Sequence, residues 1–137
     1  MIDFKTLKRN LKKDFSNLPS VKVSLLGDSA TQFLATSIKG FGVELGYNID
    51  LFEAEYNQVE RQLLDSTSDF YRYDAKYTII FQSTHKLLEK YAKMTFEEQS
   101  GMANDRLDFI RSICSLVSSK IIYYNYPEID DSVFGSY

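Results

Sequence analysis

A three-layer α/β sandwich follows from three features of the sequence. Short apolar runs alternate with amphipathic stretches along the chain. The runs are apolar at consecutive positions, as in strands covered on both faces. Strands that alternate with helices lie parallel and are joined by right-handed crossovers.

Met1–Leu18 has Phe4, Leu7, Leu11 and Phe15 at spacings of three and four, one face of a helix. Lys5, Lys8, Arg9, Lys12 and Lys13 cover the rest, and Asp3 with Thr6 suits its start. Four apolar residues are a thin membrane anchor, so the expectation is a terminal helix lying on its own domain with a solvated basic face. Asn17-Leu18-Pro19-Ser20 breaks it. Val21–Leu26 reads as the first strand, ended by Gly27, and Ala30–Phe41 as a helix with Phe33, Leu34, Ile38 and Phe41 on one side. Gly46 suits a C-cap. Asn48–Ala54 is a second strand, Asn57–Leu64 a short helix and Asp65–Asp69 a polar loop. Tyr77–Phe81 is the third strand and Thr84–Lys93 a helix. Phe96–Val117 is a long helix with Met102, Leu107, Ile110, Ile113, Cys114 and Val117 as its apolar stripe. Lys120–Tyr124 is the fourth strand, closed by Pro127. The order αβαβαβααβ implies a parallel sheet of strand order 2-1-3-4, the flavodoxin-like arrangement. Such sheets usually carry five strands, so a last strand is expected to be missing here and the native chain to continue. The organisation is then a basic helix and linker (1–20), an α/β domain (21–126) and a tail or linker (127–137).

Composition narrows the function classes. The 137 residues suffice for one domain, with 44% hydrophobic and 26% charged residues. A net charge of −3 gives no reason to expect nucleic-acid binding. One cysteine, Cys114, cannot form an internal disulfide and suits a reducing, cytoplasmic compartment. One cysteine with one histidine argues against a zinc site, and no metal site is expected. No apolar run approaches the roughly 20 residues that span a bilayer, so no membrane partner is expected.

In a parallel sheet, ligands bind outside the carboxyl ends of the strands. This selects the loops Gly27–Gln32, Glu55–Gln58, Gln82–Lys86 and Asn125–Ile129. Candidate ligand-binding residues are Gly27, Asp28, Ser29, Thr31, Asn57, Gln82, Ser83 and Asn125. Ser29 is the candidate nucleophile, because it stands where a strand meets a helix N-terminus. A serine needs a base and oxyanion donors, and the one imidazole, His85, starts the helix after the third strand. Helix capping explains the same residues. Ser29-x-x-Gln32 has the form of a capping box, Asn57-x-x-Glu60 a similar one, and Ser83 or Thr84 suits the next helix start. The same geometry aims helix N-termini at one crevice and favours an anion there.

The strand–Gly27-Asp28-Ser29–helix segment resembles the first block of the SGNH/GDSL hydrolases, which implies an SGNH-like fold with Ser29 in the nucleophile position. That family completes its oxyanion hole with a glycine after the second strand and an asparagine after the third, and its triad with a late Asp-x-x-His. Here the corresponding loops read Glu55-Tyr56-Asn57-Gln58 and Gln82-Ser83-Thr84-His85, and no Asp-x-x-His follows. A wider resemblance covers most of the chain. LKKDFSNLPSVKVSLLGDSATQFLA, LFEAEYNQVERQLLD, IIFQSTHKLLEKY and NYPEIDDSVFG are similar to the N-terminal region of FkbH-like proteins. In that family an SGNH-like domain precedes a haloacid-dehalogenase (HAD) type domain, and glyceryl units pass from a phosphorylated three-carbon donor to a carrier protein. The resemblance implies a partner HAD-type domain in the same protein. That domain would carry the Asp-x-Asp-x-Thr nucleophile motif and use Mg, with no cofactor in this one. EIDD at Glu128–Asp131 does not fit the motif.

Three functions are compatible with these residues. The first is a binding module that positions a phosphorylated or acyl substrate, or an acyl carrier protein, for a downstream catalytic domain. The second is a serine esterase or acyltransferase using Ser29 with His85 as base. The third is an interaction domain with an empty crevice, docked through the basic helix.

Overall fold

A computed structural model describes residues 2–127. Ten elements follow one another: α1 (Phe4–Asn10), β1 (Ser20–Gly27), α2 (Gln32–Glu44), β2 (Asn48–Glu53), α3 (Val59–Leu64), α4 (Asp69–Tyr73), β3 (Tyr77–Phe81), α5 (Thr84–Lys93), α6 (Phe96–Leu116) and β4 (Lys120–Tyr123). The strands form one parallel sheet in the order β2-β1-β3-β4, as expected from the alternation of elements. The reading of the tail over 128–137, including Glu128, lies outside the described residues, and no fifth strand occurs among those described.

Both sheet faces carry apolar layers, because successive strand residues point to opposite sides. Leu26 and Ile80 face α3, α4 and α6, joining Val59, Leu63, Phe70, Ile113 and Val117. Val23, Leu25 and Ile79 face α2, joining Leu34, Ala35 and Ile38. Leu25, Leu26 and Ile80 are fully buried, so β1 and β3 form the centre of the domain.

The N-terminal helix is shorter than its apolar periodicity suggests. Asp3 caps it by accepting from Thr6 N–H (2.7 Å), but the chain turns after Asn10. Asp14 accepts from Ser16 N–H (3.0 Å), a local side-chain turn that competes with helix. The helix lies on α2 of its own domain. Asn10 is fully buried and donates to Gly40 C=O (3.3 Å) and to Glu44 (2.8 Å). Gly40 is required by this crossing, since a Cβ there would stand 2.6 Å from the Leu7 carbonyl oxygen.

Further expectations are corrected. The expected capping box at Ser29 does not form: α2 begins at Gln32 behind Thr31, whose hydroxyl donates to Glu53 (2.5 Å). Asn57 does not cap α3 either. It takes a left-handed φ of 59°, and Gln58 holds the cap position. The expected stripe of α6 is rotated: Leu107 and Cys114 are exposed, while Met102, Arg106, Phe109, Ile113 and Val117 face inward. On α2, the expected Leu34 and Ile38 do pack against the sheet with Ala35, while Phe33 and Phe41 are exposed. Helix α4 has no counterpart in the sequence reading, its five residues being too few to show a period.

Candidate functional site

The crevice opens where the carboxyl ends of β1 and β3 meet α5. Asp28 builds it. Its side chain is buried and accepts from Ser83 N–H (2.8 Å), while its own N–H donates to Phe81 C=O (3.3 Å). The loop after β1 is thereby tied to the start of α5. Lys86, one turn into α5, donates to the Asp28 carbonyl and reaches towards Asn57 Oδ1 (3.5 Å). Its ammonium also lies 4.3 Å from the centre of the Tyr56 ring, a cation–π contact. One side chain thus ties two loops to α5.

The opposite wall comes from α6 and the end of β4. Arg106 Nη2 lies within donor range of Gln82 Oε1 (2.5 Å), Tyr126 Oη (2.8 Å) and Tyr123 Oη (3.2 Å). Tyr123 also donates to Gln82 Oε1 (2.7 Å). One amino group carries two hydrogens, so the three oxygens share them. Among the described residues, Arg106 Nε finds no hydrogen-bond partner, nor does the buried Thr84 hydroxyl at the start of α5. Burial pushes the Tyr126 hydroxyl up to about 12, and the Tyr123 hydrogen bond adds to this while Arg106 opposes it.

The resulting cleft holds about 220 Å³ and is lined by Asp28, Asn57, Val59, Glu60, Gln82, Ser83, Lys86, Leu87, Lys90, Arg106 and Tyr126. Three cations face two carboxylates, one of which is turned onto Ser83 N–H. The N-terminus of α5 opens on the same space, and its positive end favours an anion.

Of the sequence candidates, Asp28, Asn57, Gln82 and Ser83 meet in this cleft. Ser29 does not line it. It stands half-buried in a neighbouring groove of about 280 Å³, with Thr31, Gln32, Glu53, Glu55 and Tyr56. Gly27 is buried beneath both, where a Cβ would collide with the Thr31 methyl group. His85 is exposed and lines neither space, and Asn125 is exposed beside Tyr126. The groove around Ser29 contains no imidazole. Among the described residues, no group of three or more His, Cys, Asp or Glu side chains is poised to hold a metal.

Lys86, Lys90, Arg106, Tyr123 and Tyr126 were not singled out by the sequence. Arg106 interrupts the apolar face of a helix at Met102, Phe109 and Ile113, and that interruption is the signal that marks it.

The family model described as "FkbH, N-terminal domain" matches residues 22–137. A crystal structure of the N-terminal part of a Bacteroides fragilis protein, containing a phosphatase domain and complexed with Mg, superposes with a TM-score of 0.94 at 56% identity. The match covers 98% of this chain and 36% of that one, so the chain spans about a third of its structural neighbour. No curated protein matches the chain.

Proposed function

The chain belongs to the FkbH N-terminal domain family, and on that premise we propose that it is the substrate-positioning part of a longer protein whose remainder carries a phosphatase-type, HAD-like domain. Its cleft would hold the phosphoryl end of a small substrate, such as a phosphorylated three-carbon donor or the phosphorylated arm of a carrier protein, while the downstream domain performs the chemistry. The observation that carries this reading is the convergence of Lys86, Lys90 and Arg106 on one polar cleft at the carboxyl edge of the sheet. Arginine presents a planar fork suited to phosphate. The volume of about 220 Å³ suits a small phosphorylated group better than a nucleotide. Any Mg would belong to the phosphatase-type domain. The serine-nucleophile reading gains no support, since Ser29 stands in a different groove from the cations and away from His85.

The test is a titration of the labelled chain with inorganic phosphate and with phosphoglycerate, followed by amide shifts. Shifts clustered at Asp28, Gln82–Lys86 and Arg106 are expected, weakened about tenfold by Arg106→Gln or Lys90→Gln. Scattered shifts, or equal affinity in both variants, would overturn the reading. A fluorophosphonate adduct lost in Ser29→Ala would replace it with the esterase.

A further inference from the structure

The two faces of the sheet are unequally covered. On one, α3, α4 and α6 close over Leu26, Ile80, Ile121 and Tyr123. On the other, α2 covers Val23, Leu25 and Ile79, and among the described residues that cluster includes none from β4. The register sets Ile122 of β4 beside Ile79, on that second face. Phe81 and Tyr124 follow one pleat on, their rings packed edge-to-face at 5.7 Å. Ile122 is 47% exposed and Tyr124 42%. Single exposed apolar residues on helices, such as Leu88, are ordinary. A contiguous apolar patch on a parallel sheet is not, because parallel strands are normally covered on both faces.

We propose that this open β3–β4 face is where the remainder of the longer polypeptide, the part containing the phosphatase-type domain, packs against this one. The inference rests on the reading of the chain as one part of such a protein. The share of the neighbour outside the alignment supplies the occupant, since this chain accounts for 36% of it. Position supports it too: β4 is the last described strand, and Tyr124 at its end belongs to the patch. Size points the same way. Three side chains, Phe81, Ile122 and Tyr124, fall well short of the roughly 800 Å² per partner of a free-standing complex. A tethered partner needs less, because the link supplies a high effective concentration. On α1, by contrast, Leu7 is already buried against α2.

Hydrogen exchange compares this chain with the longer Bacteroides fragilis protein, each normalised to its own β1. Amides at the positions aligned with Ile122–Tyr124 are expected to exchange at least tenfold more slowly in the longer protein. Ile122→Lys, and independently Tyr124→Ser, should leave the melting temperature of this chain unchanged. The matching substitutions in the longer protein should erase that protection. Equal exchange in both proteins would overturn the docking face, as would protection that survives both substitutions. A dimer of this chain in sedimentation, dissolved by Ile122→Lys, would overturn it in favour of a second copy. None of these readouts uses phosphate, so failure of the cleft and failure of the face give different results.

Discussion

The β1–α2–β2 side of the domain and the β3–α5–β4 side are built to different standards. On the first, β1 runs through five consecutive buried residues to Gly27, α2 buries one stripe on the sheet, and α1 locks onto α2 through Asn10 and Gly40. On the second, α5 has no buried residue, and β4 buries neither of its alternating sides fully. The cleft lies between them. The first side supplies Asp28, the loosely packed α5 supplies Lys86 and Lys90, and the core-anchored α6 supplies Arg106. Elements with little buried apolar surface open locally at low free energy, which suits a wall that must admit a ligand.

The largest effect that would break this contrast is in the core. Leu26→Ala should cost about 2–5 kcal/mol in urea unfolding, and Leu88→Ala on α5 no more than about 0.5 kcal/mol. Comparable losses would mean the halves are equally packed. Gly40→Ala should cost about 1–3 kcal/mol, because α1 must shift away from a Cβ that meets Leu7. If thermal melts show no loss, α1 is not locked. Thr95→Ala removes the capping box with Glu98 and should cost about 1 kcal/mol, read as faster amide exchange in the first turn of α6. The pH arm is smallest. Tyr126 holds its proton more tightly folded than unfolded, so its contribution is intact below pH 10 and fades as pH rises from about 10 to about 12. Tyr126→Phe should flatten that part of the stability curve.

The sheet was legible because its signal is local and strong: runs such as Val23–Leu26 and Tyr77–Phe81 are read without knowing their partners. Helix starts were less so. Ser29 and Asn57 have the right residue types for caps, yet α2 begins behind Thr31, bonded to Glu53, and α3 behind Gln58; Ser83 does hold the cap position of α5, without a side-chain cap bond. The true capping box, Thr95-x-x-Glu98, matches the same rule and lies in the short gap between the helices expected over Thr84–Lys93 and Phe96–Val117. For the site, the loops were legible from topology alone, which brought Asp28, Asn57, Gln82 and Ser83 together. The cations were not. Arg106 reaches the cleft from a helix 24 residues beyond Gln82, and only the fold makes them neighbours.

Lys86 has a consequence for release as well as capture. Its ammonium already serves the Asp28 carbonyl and the Tyr56 ring. In the proposed role, an incoming anion would compete with these contacts, and its apparent affinity would be reduced to the fraction of time the lysine is free. The cleft would then act as an exchange site, taking the anion at high local concentration and returning it readily, because the lysine has contacts within the protein to return to.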